Sequence, residues 1–238
     1  MKKFLKPQSF PEKTLTLLII VSLVLFSVHL ILKFVSIQLF NQEHAFLFEL
    51  SNRFDVNDEN SVPQWFSQLI FLFIAAGSFL AAYLQKAKAQ RRLWAAIGVV
   101  GLLLSLDDVA TLHEFTLQFL HLTFFDEAEA TFLINAWWIL LPFVLIIAAV
   151  LAWYGWKLLP RRTIAIIVLG GTVFLAGKIL MDSIANNVDD LFIERGLVQG
   201  VEKIFQYTGS SIVLYGTLDY LRNNHLKQIK QAITQLKK

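Results

Sequence analysis

Four ionisable side chains, Asp107, Asp108, His113 and Glu114, fall within eight residues at the end of an apolar stretch, "LLLSLDDVATLHEF". On a helix, Asp107 and Glu114 are seven residues apart and therefore about 20° from eclipsed. Thr111 lies between them, and Gln118 and His121 continue the same line. A carboxylate pair so placed can bind a cation or relay protons. Asp108 and His113 point to opposite flanks of that stripe, so the four groups do not converge on one small ion while the helix stays wound. Two further segments carry matching features. Lys178 and Asp182 are at ion-pair spacing, with Asn186 and Asp189 on the same face. Glu202, Gln206, Gly209, Gly216 and Tyr220 share one side of the last apolar segment, where the glycines permit close helix approach.

The candidate binding residues are thus Asp107, Thr111, Glu114, Lys178, Asp182, Glu202 and Gln206. A divalent metal would draw on Asp107, His113, Glu114 and Glu202. The spacing offers no HExxH, no Glu-x-x-His on one helix face and no histidine pair at helical contact distance. The alternative for the same residues is structural: carboxylates paired with Lys178 or a histidine, holding helices in register. No catalytic nucleophile is singled out. His29 and His121 are weaker candidates for chemistry, and Lys178 is read first as a counter-charge.

Those residues must be positioned by membrane helices. Of the 238 residues, 56% are hydrophobic and 16% charged, with a mean hydropathy of +0.57, far from the balance of a soluble domain. Six apolar runs, at about 14–34, 64–84, 93–113, 132–156, 163–182 and 203–221, are each long enough to cross a hydrocarbon layer of ~30 Å. They are continuously apolar rather than alternating, which specifies helices and not barrel strands. The fold expected is an all-α, polytopic membrane bundle: one six-helix domain over 1–222, followed by a basic amphipathic tail over 223–238. In that tail Leu226, Ile229, Ile233 and Leu236 recur at helical spacing. Within the first outer loop, "HAFLFEL" suits a short interfacial helix.

Basic connections alternate with acidic ones. Lys2, Lys3, Lys6 and Lys13, then Lys86, Lys88, Arg91 and Arg92, then Lys157, Arg161 and Arg162 stand on one side. The intervening loops hold Glu43, Glu49 and Asp55, then Asp126, Glu127 and Glu129, then Asp189, Asp190 and Glu194. The positive-inside rule puts both termini in the cytoplasm and the protein in an inner membrane. The first run is longer than a secretory signal and lacks a small-x-small site, so it is expected to stay as an anchor. Counted at ~1.5 Å per residue from the basic side, Asp107 lies roughly 21 Å up, Lys178 roughly 22 Å and His29 about 24 Å, so the polar groups form a layer in the outer third. Asp219, with Arg222 and Tyr220, reads as an inner-interface anchor.

There is no cysteine, which excludes disulfides, thiolate catalysis and thiolate metal ligands. The net charge of +3 is explained by loop topology and does not call for nucleic acid. The partners expected are the lipid bilayer and another membrane protein.

"SLDDVATLHEF", "DENSVPQWFSQLIF" and "VEKIFQYTGSSIVLYGTLDYL" together resemble segments of a functionally uncharacterised group of bacterial multi-pass membrane proteins with an "LDE…HE" transmembrane motif. Asp108 stands where that group often carries Glu, and Lys203 and Gln206 stand where further glutamates are expected. A lysine beside Glu202 would compete with a cation. The resemblance implies a bacterial membrane protein and supplies no activity. Three functions are therefore open. The first is a binding or accessory membrane protein with an outward-facing recess between the third, fifth and sixth spans. The others are a metal-assisted hydrolase or oxidoreductase acting on a lipid-like substrate, and a proton- or cation-coupled transporter. The transporter reading finds little polar lining in the inner half.

Overall fold

The computed structural model of the chain describes residues 9–36, 44–56, 58, 60–110, 116, 137–185 and 192–236. The described residues form an all-α structure of seven helices: α1 (Phe10–Phe34), α2 (Ala45–Arg53), α3 (Val62–Leu84), α4 (Lys88–Ala110), α5 (Trp137–Leu158), α6 (Arg161–Ala185) and α7 (Phe192–Leu236). The described parts of the six apolar runs fall within α1 and α3 to α7, and the apolar residues of "HAFLFEL" lie in α2. Four stretches are long and apolar enough to cross a membrane: Phe10–Phe34, Val62–Leu84, Lys88–Asp107 and Leu140–Leu158.

Local chemistry sets the helix starts. At α1, Pro11 occupies the first turn, and the Ser9 N–H donates to Glu12 Oε2 at 2.7 Å, so one orphan donor near the N-terminus finds a carboxylate. At α3, Ser61 Oγ accepts from the Gln64 N–H at 3.3 Å, and Pro63 again fills the first turn. In α2, Arg53 bonds Glu49 one turn back at 3.0 Å, while Phe46 and Phe48 stay exposed, as an interfacial helix requires.

Helix α7 is the hub. It packs most extensively on α6, then on α1 and α3, while α4 lies against α3. Glycine determines the α6–α7 contact. A Cβ added to Gly170 would lie 2.7 Å from the Gly209 carbonyl oxygen, and one on Gly209 would lie 2.5 Å from the Phe174 nitrogen. Gly177 is seated against Phe205, and Gly216 against Ile166 and Ile167. Backbones that meet this closely gain dispersion contacts that lipid cannot supply. These glycines of α6 and α7 make contacts within one chain.

The α1 face toward α7 carries Ser22, Leu25 and His29, all buried, with Phe26 seated on Gly200; Leu17, Ile20, Val24 and Ile31 face outward. Two core clusters lie along α7. Ile70, Phe71, Ile74 and Leu214 form one. Trp94, Ile164, Tyr220 and Leu221 belong to the other, toward the opposite end.

Helix α7 is 45 residues long, about 67 Å at 1.5 Å per residue. The sixth apolar run and the tail as far as Leu236 are thus one uninterrupted helix. Asp219 finds its partner in Arg162 rather than in Arg222, with Arg162 Nε 3.2 Å from Asp219 Oδ2. Asp219 is buried and Arg162 largely exposed. Removing the arginine in Arg162→Gln strands a carboxylate that is only 5% exposed and is therefore expected to lower stability by about 2 kcal/mol, less than for a fully buried pair because Arg162 itself is largely exposed. Chemical or thermal unfolding in detergent checks this, and Asp219→Asn should restore most of the loss.

Candidate functional site

Polar residues gather at the end of the bundle where α7 begins. Along α7, successive residues are turned by 100°, so neighbours in sequence serve different helices. Glu202 and Gln206 continue the line of Gly209, Val213 and Gly216, the face that meets α6. Glu202 is buried, with the Gln206 amide donating to its Oε1 at 2.8 Å. Lys203 faces α3 instead, and its Nζ donates to Gln64 Oε1 at 3.4 Å. One turn further, the Tyr207 hydroxyl donates to the Pro63 carbonyl at 3.2 Å, and its ring meets Phe66 edge-on at 5.5 Å. The lysine expected to compete with a cation beside Glu202 thus has an amide acceptor on another helix.

Helix α4 enters the same layer through α3. Ser105 Oγ donates to the Gln68 carbonyl at 3.1 Å, which fixes the register of the antiparallel pair. Asp107 lies two residues outward from Ser105 and is half-buried, at a level between Gln68 and Gln64 when counted at ~1.5 Å per residue. On α6, the backbone of Gly177 lies against the Glu202 carbonyl and Phe205, so Lys178, the next residue, shares the depth of Glu202.

Of the expected site residues, Glu202 and Gln206 are in direct contact, and Asp107 stands at a similar depth on α4. Thr111, His113 and Glu114 lie outside the described residues, as do the side chains of Lys178 and Asp182. The described parts of α6 and α7 pack on each other. The third span reaches the site from behind α3, which brings Gln64, Ser67 and Gln68 into the layer. Among the described residues, no group of three or more His, Asp or Glu side chains is placed to hold a metal ion.

A second network lies beside the first. Lys33 Nζ on α1 is 3.0 Å from Asp55 Oδ2, and Asp55 Oδ1 is 3.8 Å from His29 Nδ1. The Val56 N–H donates to His29 Nδ1 at 3.4 Å. The segment after α2 is thereby closed over α1, with Val56 fully buried. Lys33 is a basic residue on the side of the acidic loops. Its position four residues after His29, on one helix face, was the available signal. Gln64 and Tyr207 had no such signal, because uncharged polar residues near a span end are common.

No curated protein and no solved structure matches the chain. The family described as a domain of unknown function, DUF8692, matches residues 15–220, from the first turns of α1 to Tyr220 of α7. The buried polar layer of α3, α4 and α7 and the glycine-packed α6–α7 pair both lie within that match, and the chain belongs to the DUF8692 family.

Proposed function

We propose that this is an integral inner-membrane protein of six spanning helices, with both termini cytoplasmic, and that its outer polar layer binds a cationic group. The group belongs to a small ion, a lipid headgroup or a partner segment, so the protein acts as a binding or accessory subunit. Buried Glu202 carries the reading: the residue is 7% exposed, in a bundle whose outer surfaces on α1, α3, α4 and α5 are apolar. An ionisable side chain placed among such surfaces marks a binding or functional position by default. The Gln206 amide donates to that carboxylate, and Asp107 adds a second acidic residue at a similar depth on α4. Helix α6 supports the six-span reading, since its 25 residues run along the whole apolar part of α7. The basic connections at one end of the bundle support the orientation.

The test uses purified protein in mild detergent, melted in the presence of Mg²⁺, Ca²⁺, choline or ethanolamine. At saturating concentration at least one of these is expected to raise Tm by roughly 5 °C. Glu202→Gln, which keeps an oxygen for Gln206, should melt like wild type without ligand and lose that shift. A flat response to all four cations, or an undiminished shift in Glu202→Gln, would count against the reading.

A further inference from the structure

The end of the bundle opposite the polar layer has its own pattern. Gln85, the residue that ends α3, donates to the Tyr220 hydroxyl and lies 3.2 Å from His225 Nε2. His225 Nδ1 is 2.9 Å from Gln228 Oε1, and the Trp94 ring packs on Tyr220 with centroids 4.6 Å apart. This buried cluster ties the α3–α4 connection to α7 where α7 leaves the apolar core. As a result, two basic groups far apart in sequence flank one spot. Lys86, Lys88, Arg91 and Arg92 follow Gln85, while Arg222 and Lys227 bracket His225; all six are exposed. The N-terminus of α4 opens among them, adding the positive end of a helix dipole.

The acidic residues near this surface are already engaged. Asp219 pairs with Arg162, and the Glu12 carboxylate lies within the influence of Arg222 and Arg162. The depth of the surface is marked by aromatic rings. Tyr83 is 78% exposed one turn before Lys86, and Trp153 and Trp156 are exposed on α5, with Lys157 Nζ 4.3 Å above the Trp153 ring. Rings of this kind settle at headgroup level, with apolar surface on one side and charge on the other. Exposed Phe79 and Leu80 supply that apolar side.

We infer that the α3–α4 connection and the exit of α7 form a binding surface for the phosphate headgroup of an anionic phospholipid in the adjacent leaflet, with its acyl chains along the exposed apolar side of α3. Topology alone would require positive charge on these loops, but it would not require a buried Gln85–Tyr220–His225 cluster to hold two basic segments together. The inference rests on the membrane placement proposed above and is independent of the cation site.

The experiment melts the purified full chain in mild detergent with added phosphatidylglycerol, phosphatidylcholine or soluble glycerol phosphate. Phosphatidylglycerol is expected to raise Tm by roughly 5 °C, and the other two by far less. The shift should fall by at least half in Arg222→Gln/Lys227→Gln, a pair outside the loop that sets topology, and in Lys86→Gln/Lys88→Gln. Equal shifts with phosphatidylcholine, an equal shift with glycerol phosphate, or full retention of the phosphatidylglycerol shift in both variants would overturn the inference. Partition of the chain into the membrane fraction is scored separately; its absence would remove the placement itself, whereas its presence with no lipid preference removes only this surface.

Discussion

Gly209→Leu is expected to abolish recovery of folded protein. The smallest side chain at this position already places its Cβ 2.5 Å from the Phe174 nitrogen and 2.6 Å from the Gly170 carbonyl oxygen. Both obstacles are backbone, so neither can rotate away, and α6 must separate from α7 along their most extensive contact. Overpacking of this kind costs at least about 3 kcal/mol, well beyond the roughly 1 kcal/mol that a better helix former returns. Size-exclusion profiles of a fluorescent fusion in mild detergent measure it, with a collapse of the monodisperse peak expected. Gly171→Leu is the control, because a Cβ at Gly171 meets nothing within 4 Å. That variant should elute and melt like wild type.

Asp55→Ala is expected to cost about 2 to 3 kcal/mol. Its carboxylate is the counter-charge for Lys33, which is 14% exposed, and a neighbour of His29, which is 1% exposed. Truncation leaves an ammonium group in a largely desolvated place and releases the Val56 segment that covers α1. The figure sits below that of a fully buried pair because Asp55 retains 22% exposure. Replacing both partners, as Lys33→Met with Asp55→Leu, should recover at least half of the loss, since the stranded charge is gone. Thermal melts of the single and double variants decide this. A double variant no more stable than Asp55→Ala would show that the pair itself, rather than the abandoned lysine, carries the stability.

The helices were legible in the sequence because lipid leaves the backbone so few options: a continuous apolar run of about 20 residues has to be helical. The short helix α2 was legible from "HAFLFEL" for a related reason, its aromatic residues suiting an interface. The side of α7 that meets α6 could be read from Gly209 and Gly216 at a spacing of seven. Which helix sits next to which was harder to read. Placing α3 between α4 and α7 depends on Ser105 with Gln68 and on Lys203 with Gln64, contacts between residues 37 and 139 positions apart, and periodicity carries no information at that range. The ion-pair partner of Asp219 is illegible for the same reason, because Arg162 on α6 lies 57 positions away in the chain. The tail differs from the sixth run in composition, because charge begins at Arg222. Its Leu, Lys, Gln and Ala content favours helix, and α7 continues to Leu236.

The proposed outward orientation of the polar layer can be probed directly because the chain has no cysteine, so a single introduced thiol reports alone. Gln206→Cys, beside buried Glu202, should react with a membrane-impermeant cationic methanethiosulfonate from the outer side of the membrane. It should react at least about tenfold more slowly with the anionic reagent of the same size, since a carboxylate-lined, partly desolvated site concentrates cations. Labelling only from the cytoplasmic side, no labelling from either side, or equal rates for the two reagents would contradict an outward-facing acidic site.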